Sequence, residues 1–270
     1  MTRSLSLLLM LFTLKTVAQT GESDWDAYVL DMKGKPVSIV VDLSLASRAP
    51  MKDRTMALVV RTKLQQPRPD GQPAGTEIAG LDSLEEDIVN RLSKATGAVY
   101  AGRFTQRGIR EFCFYALDSV GYSEALFAAF AGYPGYEWLG KGVADKPWSN
   151  YFDMLYPAPD QLERMRNRRQ SDALRQSGDP LEKQRPVEHQ LRFKTRITRD
   201  QFLRLPGMGD FSILDLPELP EAQAEFPFSL RMQSLGIPDY QYIEKVIMPL
   251  RIKALELKGK YEGWYCDTLR

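Results

Sequence analysis

Histidine is almost missing from this sequence: His189 is the only one in 270 residues. A lone imidazole cannot build a metal site from several histidines, and without a placed nucleophile it cannot complete an acyl-transfer triad. Cysteine is scarce too. Cys113 and Cys266 lie in apolar, strand-like segments of different halves. They read as buried free thiols, with a disulfide between the halves as the alternative in an oxidising compartment. An excess of one charge is also lacking: 36 Lys+Arg oppose 35 Asp+Glu, a formal net charge of +1. No overall field therefore draws the chain to nucleic acid or to an anionic membrane. No run of apolar residues after the first twenty is long enough for a transmembrane helix. What is present, 43% hydrophobic and 26% charged residues, is the composition of a soluble globular protein with enough length for one large or two ordinary domains.

The first residues differ from the rest. Arg3 supplies a positive start, Leu5 to Leu14 an apolar core, and Ala18 a small residue near a cut. Residues 1–19 therefore read as a signal peptide, which makes the mature protein periplasmic or secreted from a bacterium. A buried N-terminal helix is the alternative, with Lys15 in its favour.

From there the first domain, residues 20–158, alternates strands and helices. Trp25 to Leu30 and Val37 to Leu45 flank the turn Met32-Lys33-Gly34-Lys35-Pro36 as a hairpin, and Met56 to Leu64 follows as a strand. Residues 65–80 hold three prolines and three glycines and read as a loop. Leu81 then opens a helix with Ser83 and Glu86 as a capping box and Leu84, Ile88 and Leu92 on one stripe. A second hairpin, Ala98 to Phe104 and Ile109 to Leu117, leads to a short helix from Ser123 to Ala131. Tyr136 to Leu139 and Trp148 to Tyr156 read as closing strands.

Residues 159–179 form a basic connecting helix, rich in arginine from Arg164 to Arg175. It reads as a solvated connector, with an anionic-ligand face as the sharper alternative. Residues 180–270 then give the order β-α-β-β-α-β. Val187, Leu191 and Phe193 alternate with Glu188, Gln190 and Arg192, and His189 shares the apolar parity. Pro249 sits inside the last helix, which predicts a kink near residue 245. The fold class expected is α+β: two ferredoxin-like domains with antiparallel sheets and helices packed on one face.

Certain residues carry a family resemblance. Gly178-Asp179, Arg185-Pro186-Val187-Glu188-His189 and Gly259-Lys260-Tyr261-Glu262-Gly263-Trp264 resemble the family of the regulator of ribonuclease E activity B. Trp25 with Tyr28, Val40-Val41-Asp42-Leu43, Gly102-Arg103-Phe104-Thr105, Arg110-Glu111-Phe112 and Trp148 with Tyr151, Leu155, Tyr156 and Pro157 resemble the domain of unknown function 695 family. The first resemblance implies regulation by protein contact without a cofactor; the second family has no established activity to carry over. Glu262 stands where the former family has Asp. Residues 180–270 are also balanced in charge, where the named regulator is acidic.

Two chemical motifs fail on inspection. Gly135 to Gly142 approaches a phosphate-binding loop, but Gly142 replaces the Ser or Thr that holds magnesium. Arg107 to Phe114 lacks the aromatics that an RNA-recognition strand stacks on bases. The reading is a non-catalytic protein-binding or regulatory module using exposed sheet or interdomain surface, with no cofactor, metal or nucleic acid. Its candidate binding residues are Asp179, Arg185, His189, Tyr261 and Trp264. His189 reads as a structural histidine, Asp179 and Arg185 as a pair fixing the domains, and Tyr261 and Trp264 as partner anchors or packing on the kinked helix. The alternatives are a hydrolase-like small-molecule enzyme at the interdomain seam, around Asp179, Arg185 and His189, and a cytoplasmic ribonuclease regulator.

Overall fold

The computed structural model describes residues 23–220 and 224–269, so the expected signal peptide lies outside the described residues. The chain divides into two compact units, Met1–Pro157 and Ala158–Arg270. Both are α+β with antiparallel sheets.

In the first unit, β1 (Trp25–Asp31), β2 (Pro36–Asp42), β3 (Met56–Lys63), β4 (Val99–Gln106), β5 (Ile109–Ala116) and β6 (Trp138–Ala144) make one sheet in the order β1-β2-β4-β5-β3-β6. Helices α1 (Gly75–Thr96) and α2 (Tyr122–Phe130) connect β3 to β4 and β5 to β6. Leu84, Ile88 and Leu92 of α1 and Leu126 and Phe130 of α2 bury against Leu58, Val60, Tyr100, Phe112 and Phe114, so both helices share one face. Truncating any of these to Ala removes about 2–5 kcal/mol.

The opposite face is covered as well, by a segment expected to be a strand. Instead of a strand from Trp148 to Tyr156, residues 149–152 form α3 (Ser149–Phe152). The Asp145 carboxylate accepts from the Ser149 and Asn150 amides at 2.8 and 2.9 Å, which gathers the chain into a turn. Trp148 then stacks on Tyr115 with ring centroids 3.8 Å apart. The Tyr151 and Tyr28 hydroxyls donate to the carbonyls of Asp42 and Leu155. The sixth strand runs on to Ala144 beside β3, and at Gly140 a side chain would run into Leu126 and Tyr122 of α2.

Helix α1 also begins earlier than expected, within the proline- and glycine-containing stretch. Glu77, in its first turn, accepts from the Gln65 and Gln66 amides at 2.7 and 3.0 Å and ties that stretch to the helix. Ser83 is an interior residue that donates back to the Ala79 carbonyl, so it does not cap.

The second unit holds α4 (Pro159–Gln176), β7 (Arg185–Phe193), α5 (Arg196–Leu203), β8 (Ser212–Asp215), β9 (Phe228–Gly236), α6 (Tyr240–Tyr242), α7 (Met248–Glu256) and β10 (Lys260–Tyr265). Its sheet order is β10-β7-β9-β8. Val187, Leu191, Phe193, Leu230 and Met232 face Phe202, Ile243, Ile247, Leu250 and Ala254 in a single core. The disturbance expected near residue 245 takes the form of a π-helical turn, Ile243–Ile247, directly before Pro249. Widening the turn accommodates a residue that has no amide hydrogen to give.

Helix α4, expected as a solvated connector, is bonded within the second unit. Its Met165, Asn167 and Ser171 are buried. Ser171 donates to the Pro238 carbonyl at 2.7 Å, and Gln170 to the Trp264 carbonyl at 2.7 Å. Three of its arginines are neutralised locally: Arg164 by Glu244, Arg166 by Glu163 and Arg175 by Asp172.

Candidate functional site

Helix α4 ends in a Schellman turn. The Asp179 amide reaches back to the Leu174 carbonyl and the Gly178 amide to that of Arg175, with Gly178 at φ 90. This turn delivers the Asp179 carboxylate to the first residue of β7. Asp179 Oδ1 accepts from Arg185 Nη2 at 3.0 Å and from the Leu181 amide at 2.9 Å. Its Oδ2 accepts from Arg185 Nη1 and from the Leu269 amide. Arg185 also donates to the carbonyls of Asp267 and Lys183. Both side chains are buried. The arginine's hydrogen bonds hold the Asp179 carboxyl below the usual carboxylate range, against a smaller opposing effect of burial.

Four residues along β7, the parity that buries Val187 and Leu191 turns His189 inward, where it is 0% exposed. Nδ1 lies 2.9 Å from the Tyr261 hydroxyl and Nε2 2.9 Å from that of Tyr242. Ser234 Oγ is 2.6 Å from the Tyr242 oxygen and 3.4 Å from Nε2. Phe211 closes the site edge-on, 5.7 Å between centroids. Burial pushes the imidazole down to about 4, so it is neutral near pH 7.

Tyr261 and Trp264 are three residues apart, a spacing that would put them on opposite faces of a regular strand. A bulge between Tyr261 and Gly263 brings both inward. Tyr261 thereby reaches His189, while the Trp264 indole N–H donates to Asn167 Oδ1 on α4 at 2.9 Å. Trp264 bonds to α4 and shares a buried core with Ile247, Leu250 and Ala254 of the helical run around Pro249. The structure thus joins Asp179 with Arg185 and His189 with Tyr261. Trp264 stands beside His189 in the strand register but bonds elsewhere. All these bonds lie within the second unit.

Sequence reasoning missed Tyr242 and Ser234. One signal was available for the serine: it continues the inward parity of Phe228, Leu230 and Met232 in β9. A charged cluster in the first unit was missed as well. Glu85 lies on the apolar stripe of α1 and is 3% exposed. It accepts from the Tyr100 hydroxyl at 2.8 Å, pairs with Arg103 Nε at 2.6 Å, and lies 3.7 Å from Arg110 Nη1. Burial and the neighbouring Arg103 push Arg110 down to about 10. Tyr100 and Arg103 again flank a bulge, between Tyr100 and Gly102. Gly102 and Gly263 share φ 146, a backbone region open to glycine.

Comparison with known proteins agrees with this division. Residues 23–156 match the family of unknown function DUF695, and residues 164–266 match the regulator of ribonuclease activity B. No curated protein matches the chain. One solved structure that is similar, the crystal structure of an unknown protein from Galdieria sulphuraria, is 11% identical over 78% of this chain and 97% of its own, with a TM-score of 0.21. The chain joins an N-terminal region that matches the family of unknown function DUF695 to a C-terminal region that matches the regulator of ribonuclease activity B.

Proposed function

We propose that the protein is an exported, non-catalytic module that regulates another protein by binding it. The observation that carries this reading is the confinement of His189. The residue best suited to proton transfer at neutral pH is enclosed, with a tyrosine hydroxyl on each ring nitrogen. Asp179 and Arg185 are spent on each other and on backbone groups. Such bonding supports a structural role for these residues.

The resemblance to a regulator of a ribonuclease supports action by protein contact. An export signal would keep this protein from a cytoplasmic ribonuclease, so only the mode of action is carried over. The surface proposed for contact is the outward face of β7, β9 and β10. There Glu188 pairs with Arg231 and Arg192 with Glu262, while Tyr265 is 61% exposed. An exposed tyrosine and arginines on one face of a sheet are the composition of an interface anchor.

The test is affinity capture from the cell envelope of the source organism with the wild-type protein and with an Arg192→Ala/Tyr265→Ala variant. The expected result is a specific protein retained by the wild type and lost by the variant. Failure to retain any specific protein, or equal retention by both, would overturn the reading. Fractionation of the tagged protein checks export separately, and an unprocessed cytoplasmic form would end that part.

A further inference from the structure

The chain of hydroxyls around His189 leads to a cavity. Between the β8–β9 edge and the helical run from Lys245 to Lys253 lies a space of about 530 Å³. That volume falls within the range of small-molecule sites, which combine apolar walls with a few directed polar groups. Met208, Phe211, Val246, Pro249 and Leu250 supply apolar wall. Lys245, Pro249 and Lys253 line it at four-residue intervals, starting from the π-helical turn. Turns of this kind recur at functional sites.

Two ammonium groups and one carboxylate, Asp210, border the cavity. Each ammonium is held by a neutral oxygen: Lys253 Nζ by the Pro206 carbonyl at 2.8 Å and Lys245 Nζ by Gln241 Oε1 at 3.4 Å. Their charge is therefore not cancelled by those contacts. Ser234 adds a hydroxyl at the inner wall.

The direction of the hydrogen-bond chain behind Ser234 decides what that hydroxyl offers. A neutral His189 has one donor and one acceptor nitrogen. With Tyr261 donating to Nδ1, the Nε2 hydrogen goes to the Tyr242 oxygen and Tyr242 donates to Ser234 Oγ. The serine proton is then left to point into the cavity. The reverse direction would make Ser234 an acceptor; the flanking lysines favour a ligand that takes the donor.

We propose that this cavity binds a small organic anion with an apolar body, a carboxylate or phosphate monoester, through Lys245, Lys253 and the Ser234 hydroxyl. The apolar portion lies against Phe211, Val246 and Leu250. This goes beyond the protein-binding reading and stands or falls separately from it.

The experiment titrates the mature protein with octanoate, octyl phosphate and 1-octanol while following backbone amide resonances. The expected result is saturable shifts at Gly207, Ser234 and Val246 with at least one anion and much weaker binding of 1-octanol. Whichever anion saturates first identifies the headgroup. Lys245→Gln/Lys253→Gln and, separately, Ser234→Ala should each weaken that binding by about tenfold, with amide resonances of the first unit unchanged. The proposal is overturned by saturation with neither anion, by equal binding of 1-octanol, by shifts centred elsewhere, or by variants that bind as tightly as the wild type.

Discussion

Acid reaches Asp179 and His189 for opposite chemical reasons. The folded protein lowers the Asp179 pKa, chiefly through the hydrogen bonds of Arg185. Its contribution to stability is present above the unfolded value near 3.9 and is lost as pH falls through the lower folded value. His189 is also lowered, to about 4 against about 6.5 unfolded, but here burial disfavours the proton. Between those values the unfolded chain takes up a proton that the folded chain refuses. Stability therefore drops by about 3 kcal/mol as pH falls from about 6.5 to 4. Because this is the sole histidine, urea unfolding of His189→Gln beside the wild type isolates the effect. The difference between the two should shift by that amount across the window, and a constant difference would sink the assignment. Asp179→Asn leaves Arg185 buried without its counter-charge and should cost about 3–5 kcal/mol at pH 7. Urea midpoints of wild type and variant check it. The parity of β7 made the inward position of His189 legible from sequence. Its partners were not, since Tyr242 is 53 and Tyr261 72 residues away along the chain.

At the scale of elements, one local device serves both units. Tyr100-Ala101-Gly102-Arg103 and Tyr261-Glu262-Gly263-Trp264 each place a bulge between the tyrosine and the glycine, and each sends its tyrosine hydroxyl into a buried polar cluster. At Gly102 a side chain is excluded twice over: φ is 146, and a Cβ would lie 2.3 Å from the Val40 carbonyl oxygen on β2. Gly102→Ala should therefore destabilise the first unit by about 2 kcal/mol or more, read as a lowered thermal midpoint. An unchanged midpoint would show that β2 and β4 separate freely. Strand order along the chain could be read from alternation, and the β-α-β-β-α-β order of the second unit was. The segment after β6 could not, because Trp148, Tyr151 and Leu155 offer the same apolar pattern to a strand or to a compact turn. Long-range bonds made the choice: Tyr115 to Asp145 at 2.7 Å, and Asp145 to the amides that open α3. The charged cluster at Glu85 was hidden for a similar reason. Its carboxylate sits among leucines on α1, and only the sheet beneath it supplies the arginines.

For the molecule as a whole, each half closes its own core. The cysteines illustrate it: Cys113 and Cys266 are free and buried, one in each unit. Burial raises both thiols, so neither is an available thiolate at neutral pH. An aromatic disulfide reagent should titrate no thiol in the native protein and two after denaturation without reductant. No reactive thiol after denaturation would indicate a disulfide and contradict the structure. The order of strand and helix patterns announced an α+β class, and the signature residues announced which families the two regions resemble. The cavity beside Ser234 was beyond reach, since its wall is assembled from four separate stretches that meet only in the fold.

The bonding of Asp179 and Arg185 has a mechanical side. Their partners include the Leu269 amide and the Asp267 carbonyl, just past the edge strand β10. An edge strand pulled from its end parts from its neighbour one hydrogen bond at a time, like a zipper, and resists little. Here the ion pair sits at the zipper's open end as a latch. A tractive force applied at the C-terminal side, as by an unfolding motor that feeds a protease, loads this buried charge pair before it loads the ladder of β10 on β7. The latch thus has to open before the strand can be drawn away from that end.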